Sequence, residues 1–281
     1  MKHDNKKKQY PQPKDLIEDR QKPVAMQAST ASTETIRSDQ GEANHSDYYL
    51  QRANLKILAA IPCYNTASSI GDVVTRTLKY VNDVIVIDDG SSDKTAEIAS
   101  AAGAKIISHG LNKGYGAAIK SCIEAFQASD ADILVTIDGD GQHNPDEIPL
   151  LINPVIKNKA DLVIGSRFME DGLNIPRYRK FGIGIINFLW NFGSKIQVTD
   201  SQSGYRIYNK RIVRGIILRE NGMSLSIEIL EKIRNRRPII IEVPIVCSYE
   251  DNNSKLDFKA FKHGIAVSLA LIKIRIMSLF G

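Results

Sequence analysis

From Leu55 to Ser166 the chain alternates between short apolar runs and stretches whose apolar residues recur at helical spacing. LKILAAIP (55–62), VIVID (84–88), AKIISH (104–109), DILVTID (132–138) and DLVIGS (161–166) read as strands. Between them SSIGDVVTRTLKYV (68–81), SDKTAEIASAAG (92–103), GYGAAIKSCIEAFQAS (114–129) and PDEIPLLINPVI (145–156) read as helices. Ser91 or Ser92 is the expected cap of the second helix and Gly103 its stop, while Pro145 opens the last. Strands that are apolar throughout, alternating with helices, require an α/β architecture with a mostly parallel sheet covered on both faces.

Such sheets bind ligands beyond the carboxyl ends of their strands, and the polar residues of this chain gather there. Pro62-Cys63-Tyr64-Asn65 follows the first strand, Asp88-Asp89-Gly90-Ser91 the second, Asn112-Lys113-Gly114 lies past the third, and Asp138-Gly139-Asp140 closes the fourth. Turn and cap chemistry explains each tip singly, but not why four of them share one edge.

TIDGDGQH (136–143) carries the chemistry. On an extended chain alternate residues face the same way, with Cα atoms about 6.5 Å apart. Asp138, Asp140 and Gln142 then offer three oxygen donors to one side. Hard oxygen donors suit Mg²⁺ or Mn²⁺, and magnesium completes its shell with substrate phosphates and water, so the spacing predicts a metal shared with a diphosphate. An EF-hand is excluded, because His143 and Pro149 stand where its loop needs Gly and Glu. Neither a dinucleotide fingerprint, a P-loop nor a serine nucleophile elbow occurs. Carboxylates at Asp88 and Asp89 suit a ribose hydroxyl or a base N–H, so the two acidic tips together describe a nucleoside diphosphate.

The remaining segments set the boundaries. Residues 1–52 are poor in large aliphatic side chains and read as a disordered tail, with no apolar core of a secretory signal. The tail is close to neutral, so nearly all of the net charge of +5 belongs to the rest of the chain and suits an anionic partner. Lys6-Lys7-Lys8 is read as a solvated charge run, with no nucleic-acid partner expected. Three scattered cysteines, Cys63, Cys122 and Cys247, form neither a disulfide framework nor a zinc ribbon and fit a reducing cytoplasm. No apolar stretch reaches the roughly 18 residues of a membrane span. FGIGIINFLWNFG (181–193), with the only tryptophan, Trp190, and the terminal segment 260–281 are each read two ways, as core helices or as helices in a membrane interface.

IPCYN, VIDDGSSDKT, NKGYGAAI, DGDGQHNPDEI, GSRF, DSQSGYR and SIEIL resemble the successive motifs of family 2 glycosyltransferases of GT-A fold. They look most like the polyprenol-phosphate (dolichol-phosphate) mannosyl- and glucosyltransferases, and the resemblance spans roughly residues 55 to 264 of a domain drawn at 53–259. It implies a Rossmann-like nucleotide-binding half, with nucleotide contacts by Pro62, Tyr64, Asn65, Asp88, Asp89, Lys113 and Asp138. It places the metal on Asp138, Asp140 and Gln142, and the lipid phosphate on Arg167 of GSRF and Arg179 of the RYRK stretch. Ser203, Gly204 and Arg206 match an SGFR-type motif with Tyr205 in the aromatic slot. One loop departs from the family: SYEDNNSKLDFKAFKHG keeps Ser254-Lys255 but lacks the arginine that meets the donor diphosphate, so Lys255 is the expected source of that charge.

The resemblance implies an inverting, metal-dependent transfer of a hexose from a nucleotide sugar (GDP-mannose, UDP-glucose or UDP-N-acetylglucosamine) to a polyprenyl phosphate. Asp140, Arg167 and Lys255 carry the chemistry, and the enzyme sits peripherally on the cytoplasmic face of a membrane. Three other readings stay open: a family 2 transferase with a glycan or protein acceptor, a sugar-nucleotide pyrophosphorylase, and an inactive module that binds a nucleotide sugar. The pyrophosphorylase is disfavoured by PCYNTAS, where such an enzyme carries a glycine- and arginine-rich loop.

Overall fold

The computed structural model describes residues 54–169, 177–192, 194–222 and 224–248, with 177–179 and 181 described as backbone. The expected tail, the terminal helix at 260–281 and Lys255 lie outside the described residues, as does the side chain of Arg179.

The elements run β1 (Ile57–Cys63), α1 (Ile70–Thr77), β2 (Asp83–Asp88), α2 (Thr95–Ala101), β3 (Lys105–Ser108), α3 (Tyr115–Ala128) and β4 (Ile133–Thr136). A 3-10 turn (Pro145–Glu147) then leads into α4 (Ile148–Ile156), β5 (Leu162–Ser166) and α5 (Arg177–Asn191). The last are β6 (Arg206–Asn209), α6 (Lys210–Val213), α7 (Leu225–Arg234) and β7 (Ile240–Pro244). Among the described residues the strands form one sheet of seven in the order β3-β2-β1-β4-β6-β5-β7. Every residue of β1, β4 and β5 is buried, as strands covered on both faces must be.

Two local expectations change. Neither Ser91 nor Ser92 caps α2; Lys94 is the cap residue, and Asp93 just before it takes the first amide, its Oδ1 accepting from Thr95 N at 3.0 Å. Asp138, Asp140 and Gln142 do not lie along an extended chain. Gly141 takes a φ of 77° and the backbone turns at residues 139–141, leaving Asp138 half-buried and Asp140 exposed.

β6 and β7 carry no alternating signature, yet they decide how the site is assembled. β6 runs antiparallel between β4 and β5, pairing Thr136 and Ile164 with Arg206. An antiparallel strand starts where its neighbours end. The segment 199–205 that enters β6 therefore arrives at the same edge as the carboxyl ends of β4 and β5. β7 pairs parallel with β5, Ser166 opposite Pro244, and delivers residues 245–248 to that edge too.

α3 anchors this half against the core through Ala118, Cys122, Ile123 and Phe126. Gly116 lets its first turn lie against residues 221–222, where a Cβ would sit 2.2 Å from Gly222 O. α5 bears out the core reading of its segment on one face only. Trp190 is fully buried and joins Ile186 in the core, whereas Ile185, Phe188 and Phe192 are exposed.

Candidate active site

The tips of β1 and β2 are tied to one another. Asn65, held at a φ of 53°, donates its N–H to Ser91 Oγ at 2.9 Å and accepts from Ser92 N at 2.8 Å. Pro62 is buried beneath this turn, and Tyr64 beside it is exposed. Asp88 and Asp89 are both buried, and both are engaged within the protein. Asp88 accepts from Ser91 N at 3.0 Å and from Ser108 Oγ at 3.3 Å. Asp89 accepts from Lys113 N at 3.0 Å and Gly114 N at 2.8 Å, with His109 Nδ1 2.6 Å away. His109 Nε2 lies in turn 2.8 Å from Ser121 Oγ. Asp89 thus fixes the start of α3 on the sheet edge and leaves the Lys113 side chain exposed beside the tips.

Asp138 stands at the centre of the edge. Tyr115 donates its hydroxyl to Asp138 Oδ1 at 3.2 Å, and His143 Nδ1 lies 3.6 Å from Oδ2. The backbone of Gly204 presses on the same group; a Cβ there would come within 2.5 Å of Tyr115 Oη and 2.8 and 2.9 Å of the two carboxylate oxygens. Burial pushes the Asp138 carboxyl above its ordinary range, against the pull of the Tyr115 hydroxyl and of Arg167 and Arg206. Asp140, exposed at its surface yet set among protein atoms that take away part of its water, is raised as well, by that desolvation first and then by the charge of Asp138, although Gln142 N donates to its Oδ1 at 2.9 Å. Burial, reinforced by Arg167, lowers His143 to about 4, so its imidazole is neutral at physiological pH.

These residues fit a divalent cation. Two carboxylates raised by desolvation, Asp140 also by the charge of Asp138, gain from a positive charge, and Gln142 supplies a further oxygen in sequence. Among the described residues no three His, Cys, Asp or Glu side chains converge as a complete cage. That suits an ion which takes one or two carboxylates and fills its shell with phosphate and water.

The positive side of the edge is built from β5 and the segment before β6. Arg167, following β5, meets the fully buried Asp200 through two parallel bonds, Nε to Oδ2 at 2.7 Å and Nη2 to Oδ1 at 2.8 Å. Glu242 of β7 holds Asp200 in place by accepting from Thr199 N at 2.7 Å and Asp200 N at 2.9 Å. Burial raises the Glu242 carboxyl, and these two amides pull it back. Arg206 is buried and serves the loop itself, donating to Ser203 O at 2.8 Å and Ser201 O at 2.6 Å. The described chain closes over the acidic tip: His143 pairs with Cys247, and Ser248 N donates to Gln142 O at 2.9 Å.

The model of the family described as glycosyl transferase family 2 matches residues 59–217, the stretch that builds this edge. The chain belongs to that family. Among similar family members, the UDP-N-acetylglucosamine–dolichyl-phosphate N-acetylglucosaminyltransferase of Methanococcus voltae is 31% identical over 237 residues, covering 74% of this chain and 94% of that one. The dolichol-phosphate mannosyltransferase of Pyrococcus furiosus is 33% identical over 202 residues, 68% of this chain and 56% of that longer one. Glucosyl-3-phosphoglycerate synthase from Mycobacterium tuberculosis, solved with Mn²⁺, UDP and glucosyl-3-phosphoglycerate, superposes with a TM-score of 0.66 at 20% identity over 81% of this chain and 82% of that one. The last likeness establishes the shared GT-A fold. This family 2 chain is therefore a glycosyltransferase of GT-A fold, with relatives named as polyprenyl-phosphate sugar transferases.

Within that family frame, the edge brings together Pro62, Tyr64, Asn65, Asp88, Asp89, Lys113, Asp138, Asp140, Gln142 and Arg167. Tyr115, His143, Asp200 and Glu242 were not singled out by sequence. Tyr115 and His143 stand inside quoted motifs, NKGYGAAI and DGDGQHNPDEI, but their spacing says nothing of Asp138. Asp200 lies 33 residues from Arg167, and only the antiparallel placement of β6 joins them.

Proposed function

We propose that this glycosyltransferase moves a hexose from a nucleotide diphosphate sugar to a polyprenyl monophosphate with inversion at the anomeric carbon. The observation that carries the reading is the fixed guanidinium of Arg167, bound bidentately to Asp200 at the sheet edge that also bears Asp138. An arginine already oriented by a carboxylate is preorganised for a second anion, and phosphate suits its planar fork. The names of the relatives in Methanococcus voltae and Pyrococcus furiosus point to the same acceptor class.

The chemistry asks little covalent work of the protein. A phosphate monoester has a second pKa of about 6, so the acceptor is mostly a dianion at neutral pH and needs no general base. Arg167, joined by Arg179, orients that dianion for in-line attack. Pro62, Tyr64, Asn65, Asp88, Asp89 and Lys113 form the nucleotide side, and Lys255 adds positive charge at the leaving diphosphate. Mg²⁺ or Mn²⁺, held by Asp138, Asp140 and Gln142, would supply charge neutralisation at that diphosphate.

The acceptor's isoprenoid chain belongs in a bilayer, and in this reading α5 meets one, from the cytoplasmic side. Ile185, Phe188 and Phe192 form an exposed stripe, Phe188 and Phe192 lying 6.2 Å apart ring to ring, with exposed Lys180 and Lys195 near the helix ends. No helix among the described residues is long and apolar enough to cross a membrane; the proposed contact of this stripe is peripheral.

The test is Arg167→Gln, assayed for transfer at varied polyprenyl phosphate. A rise in acceptor KM of roughly tenfold or more, with nucleotide-sugar binding unchanged, is expected for a lost phosphate clamp. An unchanged acceptor KM overturns this assignment of Arg167.

A further inference from the structure

Resting on the metal site just proposed, we propose that His143 is a positioning residue: its Nδ1–H holds Asp138 Oδ2 when donor and cation are bound. Asp138 is then gripped from both sides, by the Tyr115 hydroxyl at Oδ1 and by His143 at Oδ2, and its remaining lone pairs face the cation.

His143 is 4% exposed, and its Nδ1 has no hydrogen-bond partner. A buried ring nitrogen left unpaired is costly, so such groups are rare outside functional sites. This one lies 3.6 Å from Asp138 Oδ2. That distance is about half an ångström too long for a hydrogen bond, and polar contacts in empty catalytic sites commonly tighten when the site is loaded.

The ring has no freedom to look elsewhere. It packs on Tyr205 with centroids 5.2 Å apart, and Tyr205 is pinned through its hydroxyl to Asn144 O at 3.2 Å. The His143 backbone is bridged to Cys247. In this proposal Asp138 is the member that shifts: beside it lie the side-chain-free Gly204 and the Tyr115 hydroxyl, which moves with it. The arrangement has the logic of metal sites in which outer hydrogen bonds orient the ligating carboxylate.

Asn and Gln separate this role from simple packing. The amide nitrogen of Asn falls where Nδ1 stands, and that of Gln falls where Nε2 stands. Mn²⁺ binding to the full chain is followed by electron paramagnetic resonance with UDP or GDP present, for the unaltered protein, His143→Asn and His143→Gln, with thermal unfolding of each. The expected result is a loss of roughly 10–100-fold in Mn²⁺ affinity for His143→Gln and a change of no more than about threefold for His143→Asn, in folded proteins. Equal affinities in all three, or equal losses in both variants, overturn the proposal while leaving the metal site standing. A ¹⁴N coupling to Mn²⁺ that vanishes in both variants also overturns it, because His143 would then be a ligand. Absence of Mn²⁺ binding by the unaltered protein removes the metal reading itself, and this role with it.

Discussion

Arg167 and Asp200 are joined by two parallel hydrogen bonds of 2.7 and 2.8 Å although 33 residues separate them. Asp200 is 0% exposed and the Arg167 side chain 14%, so the pair is largely desolvated. Removing one partner of such a pair leaves an uncompensated charge, which is worth more than the pair itself contributes. Asp200→Ala is expected to lower stability by about 3 kcal/mol and to raise the acceptor KM. Urea unfolding together with transfer kinetics checks both effects. A variant as stable as the unaltered protein would mean that Arg167 finds solvent or another anion without loss.

Gly204 is required for lack of a side chain, not for an unusual backbone angle. An alanine Cβ would press on Tyr115 Oη at 2.5 Å and on both oxygens of Asp138. Gly204→Ala is expected to keep the fold and lower transfer by roughly tenfold or more, since small displacements of a reacting constellation are expensive. Circular dichroism and a rate measurement suffice. Full activity would show that Asp138 tolerates displacement.

The two faces of α5 predict two unlike phenotypes. Phe188 and Phe192 are 66% and 69% exposed, while Trp190 between them is fully buried. Phe188→Asp with Phe192→Asp should change stability by no more than about 0.5 kcal/mol yet weaken binding to phospholipid vesicles. Trp190→Ala should lower stability by about 3–5 kcal/mol. Vesicle sedimentation and thermal unfolding read the two. Unaltered vesicle binding by the double variant would assign the exposed stripe to something other than a bilayer.

Cys63 gives a pH dependence with a definite sign. Burial pushes its thiol from 9.0 up to about 12. Above pH 9 the unfolded chain loses a proton that the folded chain keeps, so stability falls as pH rises from 9 toward 12. The slope for one such proton is about 1.4 kcal/mol per pH unit. Unfolding of the unaltered protein and Cys63→Ala across this range isolates the group, because the other alkaline titrations cancel in the difference. Parallel curves would contradict a retained thiol.

The strand–helix alternation of residues 55–166 was legible because β1, β4 and β5 are buried on both faces and read as apolar runs, while β3, mostly exposed at the sheet edge, was legible from its β-branched residues between helices. The acidic tips were legible as charges that end such runs. β6 and β7 were not: four residues, RIYN, and five, IIEVP, are too short to display a period. With β6 unseen, the antiparallel entry that brings Asp200 to Arg167 was invisible, and DSQSGYR appeared only as a motif. Asp138 and Asp140 were found, but their common face was inferred from an extended chain, and the turn that begins at Gly139 separates a half-buried carboxylate from an exposed one. Asp89 read as a ligand for the nucleotide, yet its oxygens already receive the amides of Lys113 and Gly114, a use of a carboxylate that only tertiary structure reveals.

The most direct measurement is transfer of labelled sugar from GDP-mannose, UDP-glucose and UDP-N-acetylglucosamine, each tested separately, to polyprenyl phosphate in detergent. Each donor is run with Mg²⁺, with Mn²⁺ and with EDTA, beside Asp140→Ala. The expected result is a lipid-linked sugar from one donor that requires the metal and disappears in Asp140→Ala. No lipid product from any donor, while one nucleotide sugar still binds, would contradict the polyprenyl phosphate acceptor.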